Sequence, residues 1–309
     1  MTWFWLALAA TLCWSGADLF YKLGSGDKYD TLKTTAVVGL VFGLHALSTL
    51  VFGDISFDFR NLIRYLPVSA MYIGSMALGY WGLRYLELSV CSPVQNCSGA
   101  LACLLGIAIL REMPETRFAL FGILACCVGV FLLGMYEHQI AQTPEERKYA
   151  KGFRAFALPI GYCILDTLGT FLDDPCLSME STWLVGVTED TIEEVGNTAY
   201  ELTFFLVGVG ILLYLLINNP KSLRPTRVGT LPRFGAAVLE TAGQFAYVHV
   251  IGGNAVIAAP MISSYCIISV ALSRIFLKER LPKRQYIAVT ITLAGIVLIG
   301  IGDGLAGSV

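Results

Sequence analysis

An all-α integral membrane protein, with ten transmembrane helices arranged as two inverted five-helix repeats, is the architecture this sequence predicts. Three observations predict it. Hydrophobic residues make up 56% of the 309, charged residues only 14%, and the mean hydropathy is +0.67, well above the usage of soluble globular chains. The apolar residues fall into ten stretches of about 20, the length that carries a helix across a bilayer. One pattern also occurs twice. Pro93 is followed nineteen residues later by Glu112 in Leu110-Arg111-Glu112-Met113-Pro114, and Pro260 is followed nineteen residues later by Glu279 in Leu277-Lys278-Glu279-Arg280-Leu281-Pro282.

In order, the expected spans are 2–23, 33–53, 65–86, 90–110, 117–136, 153–172, 197–217, 231–251, 254–277 and 284–302. They leave almost no room for a soluble domain. The first carries Trp3 and Trp5, lacks a basic leader and has no small-residue cleavage site after it, so it reads as a retained helix. Basic residues divide sixteen to four between alternate connections, with Arg274 left inside the ninth span. The positive-inside rule then puts the basic loops in the cytoplasm of a plasma-membrane protein and both termini outside. The connection 173–196 has seven acids and no Lys or Arg, which suits the outer side.

The two copies of the repeated pattern lie 167 residues apart, so each sits about four spans into its own half, 1–140 and 141–309. Five is odd, so the second half must lie upside down relative to the first, as in inverted-repeat transporters. Ala70 and Tyr80 match Ala237 and Tyr247 at the same offset.

Together these signatures resemble the drug/metabolite transporter superfamily, in particular its ten-helix EamA-like family. The segment Cys13-Trp14-Ser15-Gly16-Ala17-Asp18-Leu19-Phe20-Tyr21-Lys22 is similar to the family's Trp-Gly…Lys opening. Spans 4 and 9 carry the proline and the terminal basic-Glu pair, and Gly-containing spans 5 and 10 start just beyond. The chain departs from the family at Asp18, where small or polar residues are usual, and in the acidic connection 173–196. The resemblance implies peripheral helices 5 and 10 and a central cavity exposed to one side at a time.

Several residues have both a functional and a plainer structural role open to them. Glu112 and Glu279 precede prolines suited to a first helical turn, so they read as caps on the helix that follows each. Pro93 and Pro260 remove a backbone donor, producing a kink or a site. Asp18 in span 1 costs about 2.5–3.5 kcal/mol on insertion scales, and Asp166 sits near the mirrored place in span 6. They are either a pair of proton or cation sites, or an Asp18–Lys22 ion pair and an interhelical hydrogen bond. Glu240 and Gln244, at i,i+4, form a substrate stripe or a helix clamp. Gln95 and Asn96 follow Pro93 near the mouth of span 4, and Tyr80 and Tyr247 offer rings to apolar or cationic groups. His45, alone among apolar residues, reads as a packing histidine. The nine cysteines read as small buried hydrophobes.

The intramembrane inventory of Asp18, Asp166 and Glu240 against Arg274 favours a secondary transporter of a small polar, amine-bearing metabolite: an amino acid, polyamine or organic cation, with proton coupling open. The alternatives are a nucleoside, sugar or carboxylate carrier, a membrane-embedded lipid-modifying enzyme, or a non-transporting receptor. No nucleophile elbow, metal cluster, paired-carboxylate signature or P-loop is present, so no catalysis, cofactor, metal or ATP-driven step is expected. The expected partners are a small-molecule substrate, protons and the lipid bilayer, with no nucleic acid. The chain is compatible with a monomer or a homodimer.

Overall fold

A computed structural model describes residues 2–26, 29–98, 101, 105, 108, 116–140, 152–226, 229–263 and 265–306. The helices among them are α1 (Thr2–Gly24), α2 (Asp30–Phe52), α3 (Arg60–Arg64), α4 (Leu66–Leu83), α5 (Leu88–Gln95), α6 (Arg117–Ile140), α7 (Gly152–Leu177), α8 (Ile192–Asn218), α9 (Thr230–Ser263), α10 (Tyr265–Leu272) and α11 (Lys283–Ala306). A π-helical turn, Ser273–Leu277, extends α10. No strand occurs among the described residues. With α3 as a short end piece and α10 with its π turn as one crossing, the arrangement is consistent with ten spans.

Four helices, Asp30–Phe52, Ala155–Leu177, Ile192–Asn218 and Lys283–Gly302, are apolar and long enough to cross a bilayer by length and composition alone. Helices α1, α4 and α9 are 23, 18 and 34 residues long.

Three boundaries differ from the sequence expectation. The predicted break at 252–253 is absent, and α9 continues to Ser263; Gly252 and Gly253 are tolerated because glycine is common inside membrane helices. The fourth span is interrupted instead. Helix α5 contains Pro93 and stops at Gln95, where the Asn96 N–H closes the last turn on the Ser92 carbonyl. The connection expected at 173–196 is also shorter. Helix α7 runs to Leu177, burying Cys176, and α8 begins at Ile192. Glu112 and Pro114 lie outside the described residues.

Packing follows a swapped pattern. Helix α1 packs most extensively on α9, and α4 packs on α7; α2 packs on α8, α6 on α11, and α5 on α10. If the halves correspond in order, α1–α9 and α7–α4 are the same contact made twice, while the other three pairs lie across the two-fold. At two of those central pairs the backbones meet through glycine. A Cβ on Gly39 of α2 would fall 2.4 Å from the Phe204 carbonyl oxygen, and one on Gly122 of α6 would fall 2.6 Å from the Gly295 carbonyl oxygen. Close approach of this kind is what small-residue helix faces permit.

The two ends of the bundle are joined differently. At the basic end, buried Arg233 pairs with buried Asp30 and donates to the Gly24 carbonyl at 2.7 Å. At the acidic end, the connection 178–191 docks on α3. Asn61 donates to the Val185 carbonyl at 3.0 Å and accepts from its N–H at 2.9 Å, and Arg64 donates to the Trp183 carbonyl at 2.7 Å.

Gly39→Leu forces side-chain atoms into a backbone carbonyl, which cannot yield. It is expected to lower unfolding free energy by about 1–3 kcal/mol or more. Gly210, with open space at its Cβ position, is the control: Gly210→Ala should be neutral or stabilising in the same thermal-unfolding measurement in detergent.

Candidate functional site

Four helices each present a polar stripe at i, i+4, i+7, the spacing that keeps side chains on one helical face. The stripes are Trp14, Asp18 and Tyr21 on α1; Asp166, Thr170 and Asp173 on α7; Glu193, Asn197 and Tyr200 on α8; and Glu240, Gln244 and Tyr247 on α9. All line one cavity of about 430 Å³. Helix α4 adds Tyr72, Gly79 and Tyr80, and the break after α5 adds Gln95 and Asn96. All eight site residues expected from sequence, Asp18, Asp166, Glu240, Gln244, Tyr80, Tyr247, Gln95 and Asn96, therefore share this wall. Their roles toward a substrate are a separate question, taken up below.

The carboxylates are held by hydroxyls. Asp18 Oδ2 accepts from Ser92 Oγ of α5 at 2.6 Å and from Ser269 Oγ of α10 at 2.7 Å. Asp166 is contacted by Ser75 Oγ of α4 at 3.5 Å and by the Ser98 hydroxyl. The Glu240 carboxylate meets the Tyr21 hydroxyl, and Tyr80 donates to that hydroxyl at 3.3 Å. The expected alternative of an Asp18–Lys22 pair is not what forms. Lys22 donates instead to the Leu83 carbonyl at 2.7 Å and to that of Leu86, placing a cation at the C-terminal end of α4, where the helix dipole favours it. Arg274 does not face the acids either. It is exposed, with its guanidinium 5.4 Å from the centroid of the Tyr286 ring.

Glu279 caps a helix, but not the one that follows it. Its carboxylate accepts from the backbone N–H of Leu88 at 3.0 Å and of Ser89 at 3.0 Å, and from Ser89 Oγ at 2.7 Å. These are first-turn donors of α5 without partners inside the helix. The chain reverses at Lys278, whose φ of 56° is left-handed, and this turn aims Glu279 across the interface rather than along the chain.

Sequence reading passed over Glu193 and Asp173 as loop acids, and did not weigh Asn197, Tyr200, Tyr162 or Tyr72. The signal was present in the i, i+4, i+7 recurrence of polar residues within α7 and α8. Five carboxylates line the cavity: Asp18, Asp166, Asp173, Glu193 and Glu240. No Lys, Arg or His is among its described lining residues. Aromatic rings cover much of the rest. Tyr21 and Tyr80 stack with centroids 4.6 Å apart, and Trp14 meets Tyr247 at 5.3 Å and Tyr265 at 5.7 Å. Two donors on this wall, Gln95 Nε2 and Trp14 Nε1, are buried without a hydrogen-bond partner among the described residues.

A multi-pass helical membrane protein with a cavity lined by polar and aromatic side chains at the meeting point of its helices has the form of a small-molecule transporter. The chain belongs to the EamA-like transporter family, whose model matches residues 1–135 and 192–301. It is therefore a transporter of the drug/metabolite superfamily. A solved structure titled "Crystal structure of protein" is similar over 95% of both chains, with 15% identity and a TM-score of 0.58, a likeness of fold alone. No curated protein matches.

Glu279→Ala uncaps α5. The expected loss is about 1 kcal/mol of stability, with faster hydrogen exchange at the amides of Leu88 and Ser89; unchanged exchange there would remove the capping role.

Proposed function

We propose that this protein is a secondary transporter of a small, polar, amine-bearing metabolite (an amino acid, polyamine or organic cation). The observation that carries the reading is the cavity's charge: five carboxylates and no described basic side chain. Each carboxylate at bilayer depth is costly, and several in one low-dielectric space repel one another. A cationic cargo relieves both penalties. The tyrosine and tryptophan faces add attraction for an ammonium group. The unpartnered donors of Gln95 and Trp14 suit a cargo that also carries an acceptor, such as a hydroxyl, carbonyl or carboxylate.

The proposed cycle is alternating access between the halves 1–140 and 141–309, rocking about the cavity. The swapped packing of α1–α9 and α4–α7 supports it, because an inverted repeat exchanges these contacts when the opposite end opens. In this reading the basic connections are cytoplasmic, the termini and the segment 178–191 face outward, and the membrane is the plasma membrane. Asp18 and Asp166, each bound by serine hydroxyls from neighbouring helices, are the proposed sites for a coupling proton.

Asp18→Asn and Glu240→Gln test the acid-centred mechanism separately in proteoliposomes, with putrescine, lysine and tetraethylammonium as probe cargoes. Each variant is expected to reduce uptake of the transported probe at least about tenfold while folding normally. Wild-type uptake by both variants would sink the mechanism.

A further inference from the structure

Outside the cavity, at the contact of α2 with α8, a second buried carboxylate has no part in the mechanism above. Glu201 is fully buried. His45 Nδ1 lies 2.8 Å from its Oε2 and 3.0 Å from its Oε1. The same carboxylate accepts from Asn197 Nδ2 at 3.2 Å, and Asn197 Oδ1 accepts from Gln244 Nε2 at 3.1 Å. Asn197 and Gln244 line the cavity; Glu201 and His45 do not.

We propose that Glu201 is a specificity-determining residue that acts through this chain by fixing which end of the Gln244 amide is left for the cargo. This inference rests on the amine-cargo reading and adds to it.

The chain has only one direction. An ionised carboxylate accepts and cannot donate, so Asn197 meets Glu201 with its amide nitrogen. The Asn197 carbonyl is then turned to Gln244, and a carbonyl is met by Gln244 only with its own amide nitrogen. The Gln244 Oε1 remains as the end not engaged by the chain. An amide that by itself is as ready to donate as to accept is thereby held as an acceptor, on the same face as Glu240. His45 supplies the donor that keeps Glu201 satisfied at full burial, where an unpaired carboxylate is not tolerated. It is thus more than a packing histidine. The titratable groups facing the pair are Glu201 for His45, His45 for Glu201, and Glu194 of α8; no titration step is part of the proposal. The consequence is selective. An ammonium with N–H donors gains from an acceptor at Gln244, whereas a quaternary ammonium, with no N–H, gains charge attraction and ring contact only.

The test uses Glu201→Gln in the full-length protein. The side-chain amide can donate as well as accept, so Asn197 and Gln244 are free to turn over. Binding of putrescine and of tetraethylammonium is measured for wild type and variant by isothermal titration in detergent. Putrescine is expected to weaken about tenfold and tetraethylammonium to stay within twofold, which also shows that the variant is folded. Equal loss of both, or loss of neither, overturns the role of Glu201. Wild-type protein that binds none of putrescine, lysine and tetraethylammonium overturns the amine reading itself, and this inference with it, so the two failures are distinct. Should Glu201→Gln not fold, Gln244→Met removes the acceptor directly. It carries the same expectation: selective loss of putrescine supports the proposal and unchanged binding overturns it.

Discussion

Carboxylates at bilayer depth must be kept from lipid, and Asp18, Asp166 and Glu240 all line one shared cavity rather than the outer faces of the long helices. Each acid sits in a stripe one side chain wide, so the helix that carries it can present apolar residues elsewhere. Helices α1, α7, α8 and α9 turn those stripes inward together, and α4 and the end of α5 complete the wall. The cost of one carboxylate in hydrocarbon, about 2.5–3.5 kcal/mol, is thereby exchanged for serine and tyrosine hydroxyl contacts and a shared polar space.

The inward turn needs helices that approach closely enough to seal the cavity from lipid. Gly39 and Gly208 bring α2 onto α8, and Gly122 and Gly295 bring α6 onto α11. Dispersion over such contacts, rather than the hydrophobic effect, holds helices together in lipid. The α2–α8 contact has a second use, since it also buries Glu201 against His45. Packing and cavity chemistry are therefore coupled at one interface, and a change there is felt at Gln244 two hydrogen bonds away.

Much of this was legible in the sequence. Period and hydropathy are local, so most spans end within a few residues of where they were expected, and residues interrupting apolar runs, such as Asp18, Asp166 and Glu240, stand out. What depends on partners was not legible. Lys22 is one turn from Asp18 in sequence, yet the free carbonyls at the end of α4 hold it. Glu279 precedes a proline-started helix, yet a left-handed turn sends it to α5. The acids of 173–196 read as part of an outer connection between spans. Only the helical extents of α7 and α8 move Asp173 and Glu193 into register with Asp166 and Asn197.

The contacts at the basic end suit the proposed motion between the halves. Arg233 and Asp30 form a buried pair joining the start of α9 to the start of α2, with Gly24 of α1 as a further acceptor. Such a pair contributes less than its contacts suggest, because desolvation of both charges opposes their attraction. Here the offset is larger still, since Arg233 Nε is buried without a partner among the described residues. In the proposed cycle, a latch with one donor unmet is weak enough to exchange for water when its end opens. Lys22 on the carbonyls of α4 and Glu279 on the amides of α5 are charge-assisted contacts of the same kind, made to backbone rather than to apolar side chains. Water can replace each of them, whereas it cannot replace the glycine contacts of α2–α8 and α6–α11. Motion between the halves is therefore expected to break the Arg233–Asp30 and Glu279–α5 contacts, which join one half to the other, and to pivot on the glycine seams.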